Sequence, residues 1–197
     1  MGFFNLISDY FMKGGFVIYP IIITSVLMWA LIFERLLWFN SITRKDIYIQ
    51  DIKDLLSKGH ISDENRGLRA FVLRQFFKNK TGSYGIDSRF IDEAVIKAGY
   101  YLDKNIAVIT TLAAISPLFG LLGTVTGMIE TFDVITFFGT GNPRAMAAGI
   151  SEALVTTQAG LLVAIPGMFM SVFIARKSKK VKDSLNETGM MIKRMIK

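Results

Sequence analysis

Apolar and polar positions separate first on a coarse scale. Three windows carry no ionisable side chain: residues 14–33, 105–129 and 153–175, each 20 residues or longer. A helix rising about 1.5 Å per residue needs roughly 20 residues to cross a hydrocarbon layer of about 30 Å. The pattern therefore predicts three transmembrane helices. The first, Gly14 to Phe33, is too long for the apolar region of a signal peptide. It is also followed by "FERLLWF" where a small-residue cleavage site would stand, so it is expected to be a retained span.

Between these windows the alternation is finer. Residues 34–104 are mixed in charge, with apolar side chains at helical spacing: Ile49, Ile52, Leu55 and Leu56, then Leu68, Phe71, Val72 and Phe76, then Phe90, Ala94 and Ile96. "KGHISDEN" and "KNKTGSYGID" carry the turn chemistry that separates them. This segment predicts a small helical domain, and residues 176–197 a basic C-terminal helix. At the other end, residues 1–13 include "FFNLISDYF", whose apolar residues share one face and suit a short helix lying in the membrane interface. Residues 130–152 are predicted to be a short connection plus the start of the third helix. The fold class is an all-α membrane protein.

Composition agrees, since 51% of the chain is hydrophobic, and charge then gives the direction. The net charge of +7 is concentrated in two places: 13 Lys and Arg lie in residues 34–104 and 8 in residues 176–197. The N-terminus has only Lys13, and the segment between the second and third spans only Arg144. By the positive-inside rule the N-terminus and that connection face outward, and the two basic segments face the cytoplasm. The basic excess is thus topological and does not signal nucleic-acid binding. With no cysteine and a single histidine, His60, in a charged segment, thiolate chemistry and most nucleophilic or metal-hydrolase arrangements are excluded. No enzyme is expected, and no metal or organic cofactor.

What apolar spans do not explain is their polar content. The second contains Ser116, Thr124 and Thr126 with Pro117, Gly120, Gly123 and Gly127. Gly123 and Gly127 form a pair of small residues four apart that lets another helix approach closely, and we assign the three glycines, Pro117 and Pro166 to helix packing. The third opens with Glu152, Thr156, Thr157 and Gln158. If Glu130 and Glu152 both mark the outer boundary, Thr124 lies roughly 9 Å inward and Thr157 roughly 7–8 Å, nearly one level. Glu152 and Thr156 are four apart and share a helix face, with Thr157 beside them. Such faces from several subunits would form a ring of hydroxyls below a ring of carboxylates, able to carry hydrogen bonds for a proton relay or for a polar group on an inserted helix. Glu152, Thr124, Thr156 and Thr157 are the candidate proton-path residues.

At "GLLGTVTGM" and "GISEALVTTQAGLLVAIPG" the chain resembles the MotA/TolQ/ExbB proton channel family, most closely its ExbB and TolQ branch. The likeness implies a pentamer whose second and third helices line a central pore. That pore would hold the single spans of a partner similar to ExbD or TolR, whose aspartate takes and releases the proton. The family's pore threonines fall on Thr124 and Thr157, and its acidic residue on Glu152. Proton-motive force would then drive work on a TonB-like or TolA-like protein, for outer-membrane transport or, alternatively, Tol-Pal envelope maintenance. A carrier of small substrates fits less well, because no inverted repeat is evident. A non-conducting scaffold would leave the threonine level without a role.

Overall fold

The computed structural model describes residues 14–44, 46–58, 61 and 67–197. His60 and the amphipathic segment expected at residues 1–13 lie outside them. All regular structure among the described residues is helical: α1 (Ile18–Arg44), α2 (Ile52–Lys58), α3 (Leu68–Asn79), α4 (Tyr84–Asp103), α5 (Ile106–Phe138) and α6 (Pro143–Ile196), with single 3₁₀ turns at Ile49–Asp51 and Gly139–Gly141. Three helical stretches are long and apolar enough to cross a membrane.

The helices outrun the uncharged windows because charge does not break a helix. α5 continues past Ile129 to Phe138 and stops only at Gly139, whose φ is 62°. Of residues 130–152, expected to hold a short connection and the start of the third helix, only Gly139–Asn142 lie outside the two long helices, and α6 begins at Pro143, a residue suited to a first helical turn. α6 then runs 54 residues without interruption. Between α4 and α5 the break falls at Asn105, in the left-handed region at φ 64°. Its amide donates to the Glu34 carboxylate at 2.9 Å.

The chain forms two compact units. The first comprises residues up to Ile32 together with Ala107–Val172. On α1 it buries Ile18, Ile21, Thr24, Met28 and Ile32, and on α5 Ile109, Ala113, Ser116, Gly120, Gly123, Gly127 and Thr131. Both stripes advance three or four residues at a time, one face of a helix each. The outward faces are apolar too, with Leu118, Leu121, Leu122, Leu154, Leu162 and Ile165 exposed. This is how a helix dissolved in lipid differs from one in water.

The second unit comprises Phe33–Ile106 and Phe173–Lys197. Its core holds Phe39, Ile52, Leu68, Val72, Leu73, Phe76, Ile91, Ala94, Ala98, Leu102, Ile174, Leu185 and Ile192. On α4 the buried face is Asp87, Ile91, Ala94, Ala98 and Leu102, whereas Ile96, expected among the core residues, is 73% exposed. A step of two residues from Ala94 turns the helix about 200°, to the opposite side. The α3–α4 turn is clasped by Asp87, whose carboxylate accepts from the Thr81 amide at 2.8 Å, the Thr81 hydroxyl at 2.9 Å and the Gly82 amide at 3.1 Å. Gly82 adopts φ 82°, which a side chain would strain.

Candidate functional site

The candidate residues collect along the seam where α5 and α6 run antiparallel within the first unit. The seam is built from small residues. A Cβ placed on Gly120 would lie 3.1 Å from the Thr157 Cα, one on Gly127 2.6 Å from the Gly149 carbonyl oxygen, and one on Gly160 2.7 Å from the Ser116 carbonyl oxygen. One on Gly123 would overlap the Thr156 side chain. The two backbones therefore approach closely over about three turns, and at Gly123, Gly127 and Gly160 a side chain would force them or a neighbour to shift. Met28 of α1 and Ala113 of α5 meet Gly167 of α6, so α1 closes against the same pair. Pro117 and Pro166 sit half-buried inside α5 and α6.

Each hydroxyl of the seam has a backbone acceptor. Thr157 donates to the Ala153 carbonyl at 3.1 Å and reaches across to the Gly120 carbonyl at 3.3 Å. Thr124 donates to Leu121 at 2.6 Å, and Thr126 to Gly123 at 3.0 Å. Thr157 and Thr124 are both half-exposed at the edge of the seam. With Gly120 opposite Thr157 and Gly123 opposite Thr156, the two threonines fall within about one helical turn of each other along the axis.

Thr156 differs from the expectation that it shares an open face with Glu152. Its side chain is wholly buried against Gly123, and its hydroxyl donates to the Glu152 and Ala153 carbonyls, both at 3.0 Å. The physical reason is the seam itself: α6 buries the series Gly149, Ala153, Thr156, Gly160 and Ala164, and Thr156 is a member. It therefore acts within the protomer as a spacer between helices.

Glu152 turns toward the start of α1, where its carboxyl lies against Gly15 in the left-handed region at φ 56°. Its carboxyl also meets that of Glu130 from α5. Sequence reasoning treated these acids as independent boundary markers and missed the pair. The signal available was the antiparallel register, which places Glu130 beside Ile150 and Glu152 once the glycines are aligned. Among the described residues no group of His, Cys, Asp and Glu is arranged to hold a metal ion.

A second arrangement missed from sequence lies in the other unit. Arg35 is 1% exposed, and its Nη2 donates to the Tyr101 and Leu102 carbonyls at 2.8 and 2.7 Å. It thereby caps the last turn of α4, with Trp38 and Phe39 packed on the guanidinium at 4.6 and 5.4 Å.

Three apolar helical stretches, with hydroxyls and carboxyls gathered on an internal seam, define a multi-pass helical membrane protein. A model of the MotA/TolQ/ExbB proton channel family matches residues 64–187. The putative biopolymer transport protein ExbB-like 1 of Synechocystis sp. is 33% identical over 168 residues, 80% of this chain and 66% of that protein. ExbB-like 3 of the same organism is 32% identical over 172 residues, 82% of each chain. The biopolymer transport protein ExbB of Salmonella typhimurium is 27% identical over 187 residues, 87% of this chain and 77% of that one. The chain belongs to the MotA/TolQ/ExbB proton channel family, on its ExbB branch.

Proposed function

We propose that this chain is the ring-forming subunit of a proton-driven motor in the bacterial inner membrane, with the N-terminus periplasmic and the C-terminus cytoplasmic. Five copies surround the single spans of an ExbD-like partner, and the work is delivered to a TonB-like protein for outer-membrane transport. The observation that carries this reading is the polar edge of the α5–α6 seam. Thr124 and Thr157 stand half-exposed within about one helical turn of each other, in helices whose outward residues are largely apolar. Family membership supports it independently.

Chemically, the hydroxyls supply relay positions for protons or for a water beside the partner's acidic group, and the apolar residues below them restrict hydration. Glu152 with Glu130 lies nearer the periplasmic end and offers a place for a proton to pause on entry. No cofactor is required, because the coupling ion is the proton.

Thr157→Val keeps shape and removes the hydroxyl. As a purely structural bond it is worth about 0.6 kcal/mol, the average for helix–helix hydrogen bonds in membranes. As part of the proton path, Thr157→Val and Thr124→Val each abolish partner-dependent growth or uptake while the complex still co-purifies. Full activity in the double variant would move the path away from these hydroxyls.

A further inference from the structure

Where α1 and α6 leave their apolar segments, the second unit holds a cavity of about 440 Å³ lined by Thr43, Tyr48, Arg69, Lys177, Lys180 and Ser184, with Asp46 at its wall. Three cations face one carboxylate. That carboxylate is occupied: Asp46 Oδ1 accepts from the Ile47 amide at 3.0 Å and the Arg69 amide at 3.1 Å. Arg69 is held in place by bonds to the Ile47 carbonyl at 2.8 Å and the Ser184 hydroxyl at 2.6 Å, which leaves guanidinium N–H groups over. Lys177 lies over the Phe39 ring at 5.6 Å, and Lys180 is exposed, with no ion pair among the described residues. The arrangement is a fixed guanidinium, two ammonium groups and three hydroxyls around one space, a chemistry that recognises phosphate.

The helix face leading into the cavity narrows the source. Phe169, Phe173, Lys177, Lys180 and Ser184 are spaced four, four, three and four apart, so they share one face of α6. Phe169 and Phe173 are 70% and 48% exposed. An aromatic stripe that runs into a basic cradle at the end of a span suits a molecule with an acyl chain on one side and a phosphate on the other. A free anion would use only the cradle.

We infer that this cavity binds the phosphate of an anionic glycerophospholipid, with its acyl chains along the exposed Phe173. The inference goes beyond the motor and does not depend on proton flow. The test takes the full-length protein in mild detergent, offers equal phosphatidylglycerol and phosphatidylcholine, and counts retained lipid per protomer by native mass spectrometry. Phosphatidylglycerol is expected to be retained in preference. The preference should fall about fivefold in Lys180→Gln and about thirtyfold in Lys177→Gln/Lys180→Gln, at roughly a fivefold contribution per basic side chain. Helicity and oligomer size are checked in parallel, and Lys180→Gln, which removes an exposed and unpaired side chain, serves should the double variant misfold. The charge-matched control Lys104→Gln/Lys179→Gln, both exposed and away from the cavity, should retain the lipid. Equal retention of the two lipids, or undiminished phosphatidylglycerol on both cavity variants, overturns the inference. So does loss of preference in the control. Millimolar inorganic phosphate that stabilises lipid-stripped wild type but not the double variant, without lipid preference, would assign the cavity to a free anion instead.

Discussion

Arg35 shows how much one side chain can hold. Its guanidinium is buried, bonds two carbonyls at the end of α4 and carries two aromatic rings, while its Nε has no hydrogen-bond partner among the described residues. Arg35→Met leaves two carbonyls without that donor, one buried and one part-buried, and an unsatisfied buried acceptor costs about 1–3 kcal/mol. Arg35→Lys, with a point charge in place of a planar fork, should recover part of it. Thermal unfolding in detergent, followed by circular dichroism, would rank the three proteins. In the sequence Arg35 read as one of the basic residues flanking a span, because counting charge ignores where a side chain points. The buried spacing Met28, Ile32, Arg35 and Phe39 held the missing signal. Asp87 gives a second prediction at this scale. The Thr81 amide, against the opposing effect of burial and helped by the Thr81 hydroxyl, the Gly82 amide and Lys80, holds its carboxyl below the ordinary range. The stabilisation is therefore present above about pH 4 and lost as pH falls through the folded-state value. Measured against the intrinsic exchange rate, which itself slows as pH falls, protection of the Thr81 and Gly82 amides should drop over that acid range in the wild type. Asp87→Asn should exchange faster already at neutral pH and show no acid step.

Among the elements, the α5–α6 pair sets the tolerances. A methyl on Gly127 meets backbone on the facing helix at 2.6 and 2.9 Å, which must move apart, whereas one on Gly120 meets its nearest atoms at 3.1 Å. Gly127→Ala should cost about 1–3 kcal/mol, the usual penalty of overpacking. Gly120→Ala should be near neutral, because alanine's helix preference of about 1 kcal/mol offsets the tighter contact. Unfolding by graded denaturing detergent would separate the two variants. The three spans were legible in the sequence because hydrocarbon excludes charge, and the glycine pair was legible because close helices need small residues. The placement of Thr156 was not. A spacing of four puts Glu152 and Thr156 on one side of a helix but does not say which neighbour that side meets. The end of α5 escaped for a related reason: Glu130 and Asp133 are no obstacle to a helix, so the element ended at a glycine and not at the charges.

At the scale of the whole molecule the distribution of basic residues carries the topology. Cysteines introduced singly into this cysteine-free chain at Asn142 and Lys197 should divide sharply with an impermeant maleimide applied to intact cells, the first labelled and the second protected. The opposite outcome would invert the orientation. The first unit exposes apolar side chains on nearly every outward position, and its polar edge requires shelter from lipid. Native mass spectrometry in mild detergent should accordingly show a ring, five copies on the reading proposed above; monomers alone would contradict it. Neither orientation nor subunit number could be read from the hydropathy pattern, which treats both membrane sides and all subunits alike.

The glycine seam also determines how freely this protein can drift. Gly123, Gly127 and Gly160 face backbone or a locked side chain, so nearly every single-codon change there inserts volume where none exists. Leu121, Leu122, Val125 and Leu162 on the outward faces can exchange among apolar residues at little cost. A saturation library scored for surviving protein should therefore show permissive and forbidden positions alternating with the helical repeat along α5, and the forbidden series should trace the contact with α6 without any coordinates.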